Sequence, residues 1–345
     1  MPGHRPLVRV LSLPDLDRPI GGVKQLYRHV EHLVALGWDA AIVTEKTNFR
    51  PSWFDNTAPT IALSESQSRH ELCPDKSILI LPETYIGLDL ENFYGINIAS
   101  LGRVVFNQNA YYSYGKISAE TEKSLFQLYN LDSVLQVLSV SENTHTFLSR
   151  NIGLPDNRLS RIINAVEPIF HSADNKTNKM HWMTRKNPEH VNAIMMGIKR
   201  SNLQNSSGWQ GKPLENISHM EVAEHLRSAR IFLAFGHPEG FGLPIAEAMA
   251  AGCWVVGYSG GGGDELFRLG AGERVSFGDW PEYLASIQRA FNAFADQPRE
   301  TQMRLTRQSL AVRSLYSYEQ EQLSIKLAWE RVYKAFTLWR NDSTS

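Results

Sequence analysis

Short apolar segments alternate with segments of helical periodicity along this chain, and no other feature limits its fold as strongly. Leu7–Leu13 is a short apolar run, Val23–Val34 carries apolar side chains three or four residues apart, and Ala40–Thr44 is a second apolar run. A strand, a helix and a strand within roughly 45 residues match the size of a βαβ unit. The alternation therefore predicts an α/β protein with parallel sheets and crossover helices. Further strands are predicted at Ser77–Pro82, Arg103–Asn107, Val134–Val140, Arg161–Val166, Met180–Met183, Ile231–Phe235 and Cys253–Gly257.

The polar stretch His171–Lys179 marks the predicted boundary between two domains. It contains no large apolar side chain, and such segments are typical of linkers. A length of 345 residues also fits two domains of roughly 150 residues each. We assign residues 1–170 to the first domain and residues 171–317 to the second, followed by a helix over residues 318–340. That last helix has an apolar stripe at helical spacing, formed by Ile325, Trp329, Val332, Tyr333 and Phe336.

Charge and cysteine content exclude several classes of function. The chain has 35 Lys and Arg residues against 36 Asp and Glu residues, for a net charge of −1, so we expect no general affinity for nucleic acid. The two cysteines, Cys73 and Cys253, lie far apart in ordinary segments, which fits reduced thiols. We find no signal segment before Leu7 and no apolar run of the ~18 residues that a spanning helix needs. These features predict a cytoplasmic protein.

The densest functional signal is the stretch His237–Gly252, which follows a predicted buried strand. It reads His-Pro-Glu-Gly-Phe-Gly-Leu-Pro-Ile-Ala-Glu-Ala-Met-Ala-Ala-Gly, and Pro244 is well placed in the first turn of a helix. A strand that leads through glycines into a helix presents free backbone N–H groups at the sheet edge where ligands of α/β folds bind. Glu239 and Glu247 flank this turn, and each carboxylate can accept hydrogen bonds from sugar or ribose hydroxyls.

These residues resemble the Glu-x7-Glu motif of retaining glycosyltransferases of family 4. The resemblance continues through Val255–Tyr258 into the glycines of Gly260–Gly263 and Glu265. It extends more weakly to Gly21-Gly22, to Ser139–Glu142 and to the predicted strand Arg161–Val166. It implies the GT-B architecture, in which two Rossmann-like α/β domains have parallel sheets facing across a cleft. In that architecture the C-terminal helix returns to the first, acceptor-binding domain, and the second domain binds the nucleotide-sugar donor.

The resemblance implies a donor-binding role for the residues of the motif. Glu247 would hold the ribose hydroxyls of the nucleotide-sugar, and Glu239 would contact the donor sugar. The backbone around Phe241, Gly242 and Leu243 would line the sugar and the diphosphate.

It also assigns a role to a glycine pair in the first domain. Gly21 and Gly22 would bring the start of the first helix against the diphosphate, where the helix N-terminus favours negative charge.

A basic pair and three polar residues complete the predicted site. Arg185 and Lys186 would stabilise charge on the departing diphosphate, although the family carries its Arg and Lys a few residues apart. Many relatives have a histidine near the reacting centre of the first domain. This chain instead has Gln108 and Asn109, which can hydrogen-bond a sugar but cannot act as a base. His237 is a further candidate for contact with the donor or the acceptor.

The resulting prediction is a retaining, metal-independent glycosyltransferase that moves a sugar from a nucleotide-sugar to an acceptor hydroxyl. The nucleotide-sugar is a co-substrate, and no cofactor or metal is expected. Basic and aromatic residues in the C-terminal helix also allow peripheral contact with a membrane. Two alternatives stay open: another GT-B enzyme, such as a nucleotide-sugar hydrolase, epimerase or phosphorylase, and a non-catalytic nucleotide-sugar-binding protein.

Overall fold

The computed structural model describes residues 5–114, 119–201 and 208–343. Its residues divide into two compact units, here called the first and second domains. The first consists of Met1–Ile163 with Glu321–Ser345, and the second of Asn164–Gln320. The sequence prediction placed these two boundaries after residues 170 and 317. The acceptor and donor roles assigned to the two domains stay predictions.

The strands in the described ranges form one parallel sheet in each domain. The first domain contains β1 (Leu7–Leu11), β2 (Ala40–Thr44), β3 (Thr60–Ala62), β4 (Ser77–Pro82), β5 (Gly102–Asn107), β6 (Val134–Ser139) and β7 (Leu159–Arg161). The second contains β8 (Thr177–Trp182), β9 (Gln210–Pro213), β10 (Ala229–Ala234), β11 (Trp254–Tyr258) and β12 (Gly272–Val275).

The helices connect these strands in the manner of a doubly wound fold. They are α1 (Gly21–Ala35), α2 (Leu63–Ser68), α3 (Leu90–Tyr94), α4 (Ala119–Asn130), α5 (Glu142–Arg150), α6 (Pro188–Arg200), α7 (His219–Ser228), α8 (Leu243–Ala250), α9 (Asp264–Phe267), α10 (Trp280–Asp296), α11 (Pro298–Leu315) and α12 (Tyr318–Ser343). In the described ranges, no helix combines the length and apolar character that crossing a bilayer requires.

The first sheet has the order β3-β2-β1-β4-β5-β6-β7. Val8 in β1 pairs with Ala40 of β2 on one side and with Ile78 of β4 on the other. The order reverses between β1 and β4, so the carboxyl ends of these two strands flank a topological switch point, which is where α/β folds bind ligands.

The second sheet repeats this arrangement with the order β12-β11-β10-β8-β9. Ile231 in β10 pairs with Trp254 of β11 and with Met180 of β8. Its switch point lies between β8 and β10, so the loops after these two strands share one edge. The fold class predicted from the sequence, an α/β chain with two Rossmann-like domains, is confirmed.

The apolar stripe of the C-terminal helix α12 packs into the first domain. Ile325, Trp329, Val332 and Phe336 are at most 2% exposed. The indole Nε1 of Trp329 donates to Nε2 of His29 on α1 at 2.9 Å, and Nε2 of His32 lies 2.9 Å from Oε2 of Glu321. Trp329, one of the aromatic residues of this helix, is therefore a core residue, and a membrane contact of the helix stays a prediction.

Two sequence predictions were wrong about the segments between the domains. Arg161–Val166 was predicted as a strand, but β7 ends at Arg161. Ile162 N still donates to Ser139 O of β6 at 2.7 Å. Farther along, Ile163 N donates to Ser324 Oγ at 3.0 Å, and Val166 N donates to Tyr316 O at 2.8 Å. The predicted linker His171–Lys179 is also too long, because β8 begins at Thr177.

Candidate active site

The loops that follow β8 and β10 border a pocket at the switch point of the second sheet. Its volume is about 440 Å³, including the solvent that enters its open side. Four predicted site residues line it, namely Arg185, Lys186, Glu239 and Gly242, the last at the start of α8. The remaining lining residues are Met183, Phe232, Leu233, Ala234, Phe235, Gly236, Pro244 and Ile245.

Lys186 forms an ion pair with Glu239 in this pocket. Its Nζ lies 2.9 Å from Oε1 of Glu239 and donates to the carbonyl oxygen of Pro238 at 2.5 Å. Both side chains of the pair are 18% exposed, so the contact is partly shielded from water and tighter than a surface pair. Arg185, in contrast, is exposed while it lines the same pocket. The structure thus gives the two adjacent cations different surroundings.

Asn187 holds the two loops together, and sequence reasoning missed it. It has a positive φ of 52° and precedes α6, a conformation that asparagine tolerates better than most residues. Its Nδ2 donates to the carbonyl oxygens of Phe235 at 2.7 Å and His237 at 3.2 Å. The available signal was an asparagine immediately before a proline at a helix start, but only the structure shows its partners on the other loop.

The glycines of the motif allow two backbone segments to approach closely. Glu239 N donates to Gly260 O at 2.9 Å, and Gly262 N donates to Glu239 O at 3.0 Å. A Cβ at Gly262 would meet the backbone of Gly240 well within 3.0 Å, so glycine is required there by space alone. The segment Gly260–Gly263 therefore fixes the backbone that carries Glu239.

Helix α8 begins directly beside this loop. Gly242 caps it with φ 90°, in the left-handed region, and Pro244 occupies its first turn. The N-terminal end of the helix carries partial positive charge and N–H groups without partners within the helix. Of the predicted donor-binding residues, Phe241 is buried and 3% exposed, while Leu243 is partly exposed.

Glu247 lies within α8 and is 9% exposed. Its Oε1 is 3.2 Å from Nε2 of His219, and Nδ1 of the same ring is 3.3 Å from Oε2 of Glu167. The prediction gave Glu247 a role and gave His219 none, and it did not single out Glu167. Nothing in the local sequence could reveal this contact, since it joins three separate elements of the second domain.

His237 packs against an aromatic group on the same edge of the second sheet. Its ring stacks on Phe277 with centroids 4.2 Å apart, and Phe277 also stacks on His190 at 4.7 Å. Burial, with the nearby charge of Lys186, lowers the pKa of His237. The imidazole is therefore neutral at neutral pH, and its ring is held by Phe277 rather than among the residues that line the pocket.

The predicted residues of the first domain also lie together, at its own switch point. Nε2 of Gln108, after β5, donates to Gly22 O at 3.1 Å, and Gln108 N donates to Oε2 of Glu83 at 3.0 Å. α1 begins at Gly21, and no side chain caps its N-terminus. Asn109 is 5% exposed and accepts a hydrogen bond from Tyr111 N at 3.2 Å.

Glu83 was missed by the sequence reasoning. It follows β4 directly and is 4% exposed, and burial raises its pKa to about 7 although backbone N–H groups of Gln108 and Asn109 donate to it. A buried carboxyl group of this kind has no signature in the local sequence.

Comparison with known proteins places these features in a family context. Residues 211–308 match the family model described as Glycosyl transferases group 1, which supports a group 1 glycosyl transferase domain in this stretch. A curated relative, the Alpha-1,6-glucosyltransferase of Actinobacillus pleuropneumoniae serotype 7 (strain AP76), is 30% identical over 115 residues. That match spans 31% of this chain and 34% of the relative, so the chain matches about a third of the relative's length.

Solved structures resemble the chain over nearly its whole length. Sucrose-phosphate synthase from Thermosynechococcus elongatus has a TM-score of 0.68 and 14% identity, covering 96% of this chain and 100% of that one. Anabaena HepE, solved in complex with UDP and glucose, has a TM-score of 0.70 and 13% identity, covering 95% of this chain and 100% of that one. The fold is GT-B. At such low identities the GT-B likeness describes the architecture and leaves activity to be argued from the site.

Proposed function

We propose that this chain is a glycosyltransferase that transfers a sugar from a nucleotide-sugar to an acceptor hydroxyl. The observation that carries the proposal is the convergence of three features at the β8/β10 switch point. These are the Lys186–Glu239 ion pair, the exposed cation of Arg185, and the N-terminus of α8 reached through Gly242. All three border the same pocket.

A diphosphate suits the cationic part of this pocket. Arg185 is exposed there, and a guanidinium can bind phosphate oxygens through two parallel hydrogen bonds. The start of α8 adds backbone N–H groups and the positive end of the helix dipole. Charge that develops on the departing diphosphate would be stabilised by these groups, at several kcal/mol for each well-placed donor. We therefore propose transfer that does not depend on a divalent metal.

The two carboxylates suit the hydroxyl-rich parts of the donor. Glu239 projects into the pocket from a backbone that Gly260 and Gly262 hold in place, which suits contact with the donor sugar. Glu247 lies farther along α8 and is nearly buried, which suits acceptance of hydrogen bonds from ribose hydroxyls. Both residues lie within residues 211–308, which match the group 1 family model.

We further propose that transfer retains the anomeric configuration. In a front-face reaction the departing phosphate oxygen takes the proton of the acceptor, so the protein needs no separate base. This fits the absence of a predicted base in the first domain, where Gln108 and Asn109 replace the histidine of many relatives, because neither amide can accept a proton at neutral pH.

Nucleotide binding provides the first test. UDP-glucose is the first donor to try, since HepE was solved with UDP-glucose and the curated relative is a glucosyltransferase. UDP-, GDP-, ADP- and TDP-sugars are compared by thermal shift. At least one should stabilise the protein, and E247A should lose about 1–3 kcal/mol of its binding free energy. The matched control E300A changes an exposed glutamate of α11 and should bind as the wild type does.

Product analysis then tests the reaction itself. Sugar release should depend on an acceptor, proceed in EDTA, and give the anomer of the donor. Release of free sugar at the same rate without any acceptor would favour the hydrolase alternative. Absence of stabilisation by every nucleotide-sugar tested would refute the proposal.

A further inference from the structure

A histidine of the second domain lies between two carboxylates, one of which is the proposed ribose-binding residue. His219 is the first residue of α7. Its Nε2 is 3.2 Å from Oε1 of Glu247 on α8, and its Nδ1 is 3.3 Å from Oε2 of Glu167, in the segment before β8. The ring also meets Phe170 edge-on at 5.0 Å. Three elements of one domain thus converge on a single imidazole.

The chemistry of the three groups sets the protonation state that this geometry needs. An ionised carboxylate can only accept hydrogen bonds, and a neutral imidazole has a single N–H. Both contacts can therefore be hydrogen bonds only when the ring carries a proton on each nitrogen. Two carboxylates that face the ring are Glu167 and Glu247, with side chains 17% and 11% exposed. In this partly shielded setting the hydrogen bond of Nε2 with Glu247 and the ion pair of Nδ1 with Glu167 hold the ring and the carboxylates in place.

The contact with His219 matters for function because Glu247 is the proposed ribose-binding residue. A carboxylate offers about four acceptor sites, so one bond from His219 leaves the others available to ribose hydroxyls. Without that bond, the carboxylate can rotate about its own side-chain torsions, and a bound ribose must then order it at an entropic cost.

We propose that His219, as an imidazolium shared with Glu167, is the positioning residue that orients Glu247 toward the ribose of the donor. This inference rests on the proposed function. It adds that the contribution of the ribose hydroxyls to affinity depends on the proton held by His219.

The test compares UDP with 2′,3′-dideoxy-UDP, which lacks both ribose hydroxyls. Calorimetric titration of the full chain at pH 6 and pH 8.5 gives the ratio of the two dissociation constants. Because both nucleotides carry the same base and diphosphate, ionisation of the ligand cancels in this ratio. The wild type should prefer UDP about tenfold at pH 6, and the preference should fall to about a third of that value or less at pH 8.5.

Two variants and a control isolate the histidine. H219Q should show a preference of about twofold or less, without dependence on pH. E167Q should retain the full preference at pH 8.5, because the new amide can donate to Nδ1 while the neutral ring still donates to Glu247. H225Q makes the same exchange on the same helix, away from Glu247, and should behave as the wild type.

The outcomes separate failure of this inference from failure of the proposed function. If the wild type binds UDP no better than the dideoxy nucleotide at pH 6, Glu247 does not hold a ribose, and both ideas fail. If the wild type discriminates and H219Q discriminates equally, the inference alone is overturned. If H219Q does not fold, E167Q decides the question. If E167Q loses its preference for UDP at pH 8.5 as much as the wild type does, the positioning role of His219 is overturned.

Discussion

Replacing Gly262 with alanine should force apart the two backbone segments that shape the candidate site. A Cβ on this residue would lie 2.6 Å from the carbonyl oxygen of Glu239 and within 3.0 Å of the carbonyl group of Gly240. These neighbours are backbone atoms, so no side-chain rotation can relieve the overlap, and one segment must move by several tenths of an ångström or more.

The expected cost follows from the contacts that such a movement breaks. The segments are joined by two hydrogen bonds, from Glu239 N to Gly260 O at 2.9 Å and from Gly262 N to Glu239 O at 3.0 Å. Losing both costs about 1–3 kcal/mol in net terms, and forcing extra volume into a packed site costs a further ~1–3 kcal/mol. We therefore expect G262A to lose about 2–6 kcal/mol of unfolding free energy and to bind nucleotide-sugar at least tenfold more weakly, because Glu239 moves with the loop.

Urea unfolding followed by tryptophan fluorescence, together with calorimetric titration of UDP-glucose, measures both effects. G87A serves as the matched control, since a Cβ at Gly87 meets nothing within 4 Å, and surface exchanges of this kind change stability by about 0.5 kcal/mol or less. An unfolding midpoint and a dissociation constant of G262A equal to those of the control would show that the two segments are not held together as described.

Two further predictions concern buried titratable groups of the first domain. Burial lowers the pKa of His29 to about 3, so between pH 6.5 and 3 the unfolded chain binds more protons there than the folded one. The free energy of unfolding should then fall by about 2 kcal/mol from pH 7 to pH 5 because of this residue. In H29F, urea unfolding should show no such fall, and the same dependence on pH as in the wild type would contradict the prediction. Burial raises the pKa of Glu83 to about 7, so the folded state binds more protons and its stability falls as pH rises from about 4.5 to 7. The free energy of unfolding of E83Q, relative to that of the wild type, should rise by about 2–3 kcal/mol between pH 5 and pH 8. If this difference between the two proteins did not change with pH, the prediction would be wrong.

The elements that the sequence predicts well are those set by local rules. The strands Ala40–Thr44 and Ser77–Pro82 have the bounds expected from them. The helix start at Ser218 likewise follows a local rule, because Ser218 and Glu221 form a capping box. In each case the deciding information lies within a few neighbouring residues, as an apolar run between polar segments or as a capping side chain three positions from its partner.

The elements that were missed depend on partners far away in the chain. β9 (Gln210–Pro213) is exposed throughout and has no apolar pattern, so its only reason to be a strand is pairing with β8. Arg161–Val166 looked like a strand because four of its six side chains are apolar. The N–H groups of Ile163 and Val166, however, bond to Ser324 and Tyr316. The apolar side chains of this segment thus predicted correctly that it is buried, but they did not predict which groups accept its backbone hydrogen bonds.

The candidate site also combines features set by local sequence with features set by distant partners. The second kind decides which of the two adjacent cations contacts the diphosphate. An adjacent Arg185-Lys186 pair does not say which cation meets a phosphate, because that depends on what the other one contacts. Lys186 already bonds Glu239 and the Pro238 carbonyl, both on the loop after β10, and so holds the loop that carries the sugar-contacting acid. If Lys186 contacted a phosphate instead, its ion pair with Glu239 would break. Glu239 would then be unpaired in a partly shielded site, and the free-energy cost of such an unpaired charge grows with burial. Arg185 is exposed and borders the same pocket, so it can bind diphosphate without that cost. In the proposed reaction, therefore, Lys186 keeps the carboxylate in place and Arg185 is the cation that we expect to receive the departing charge.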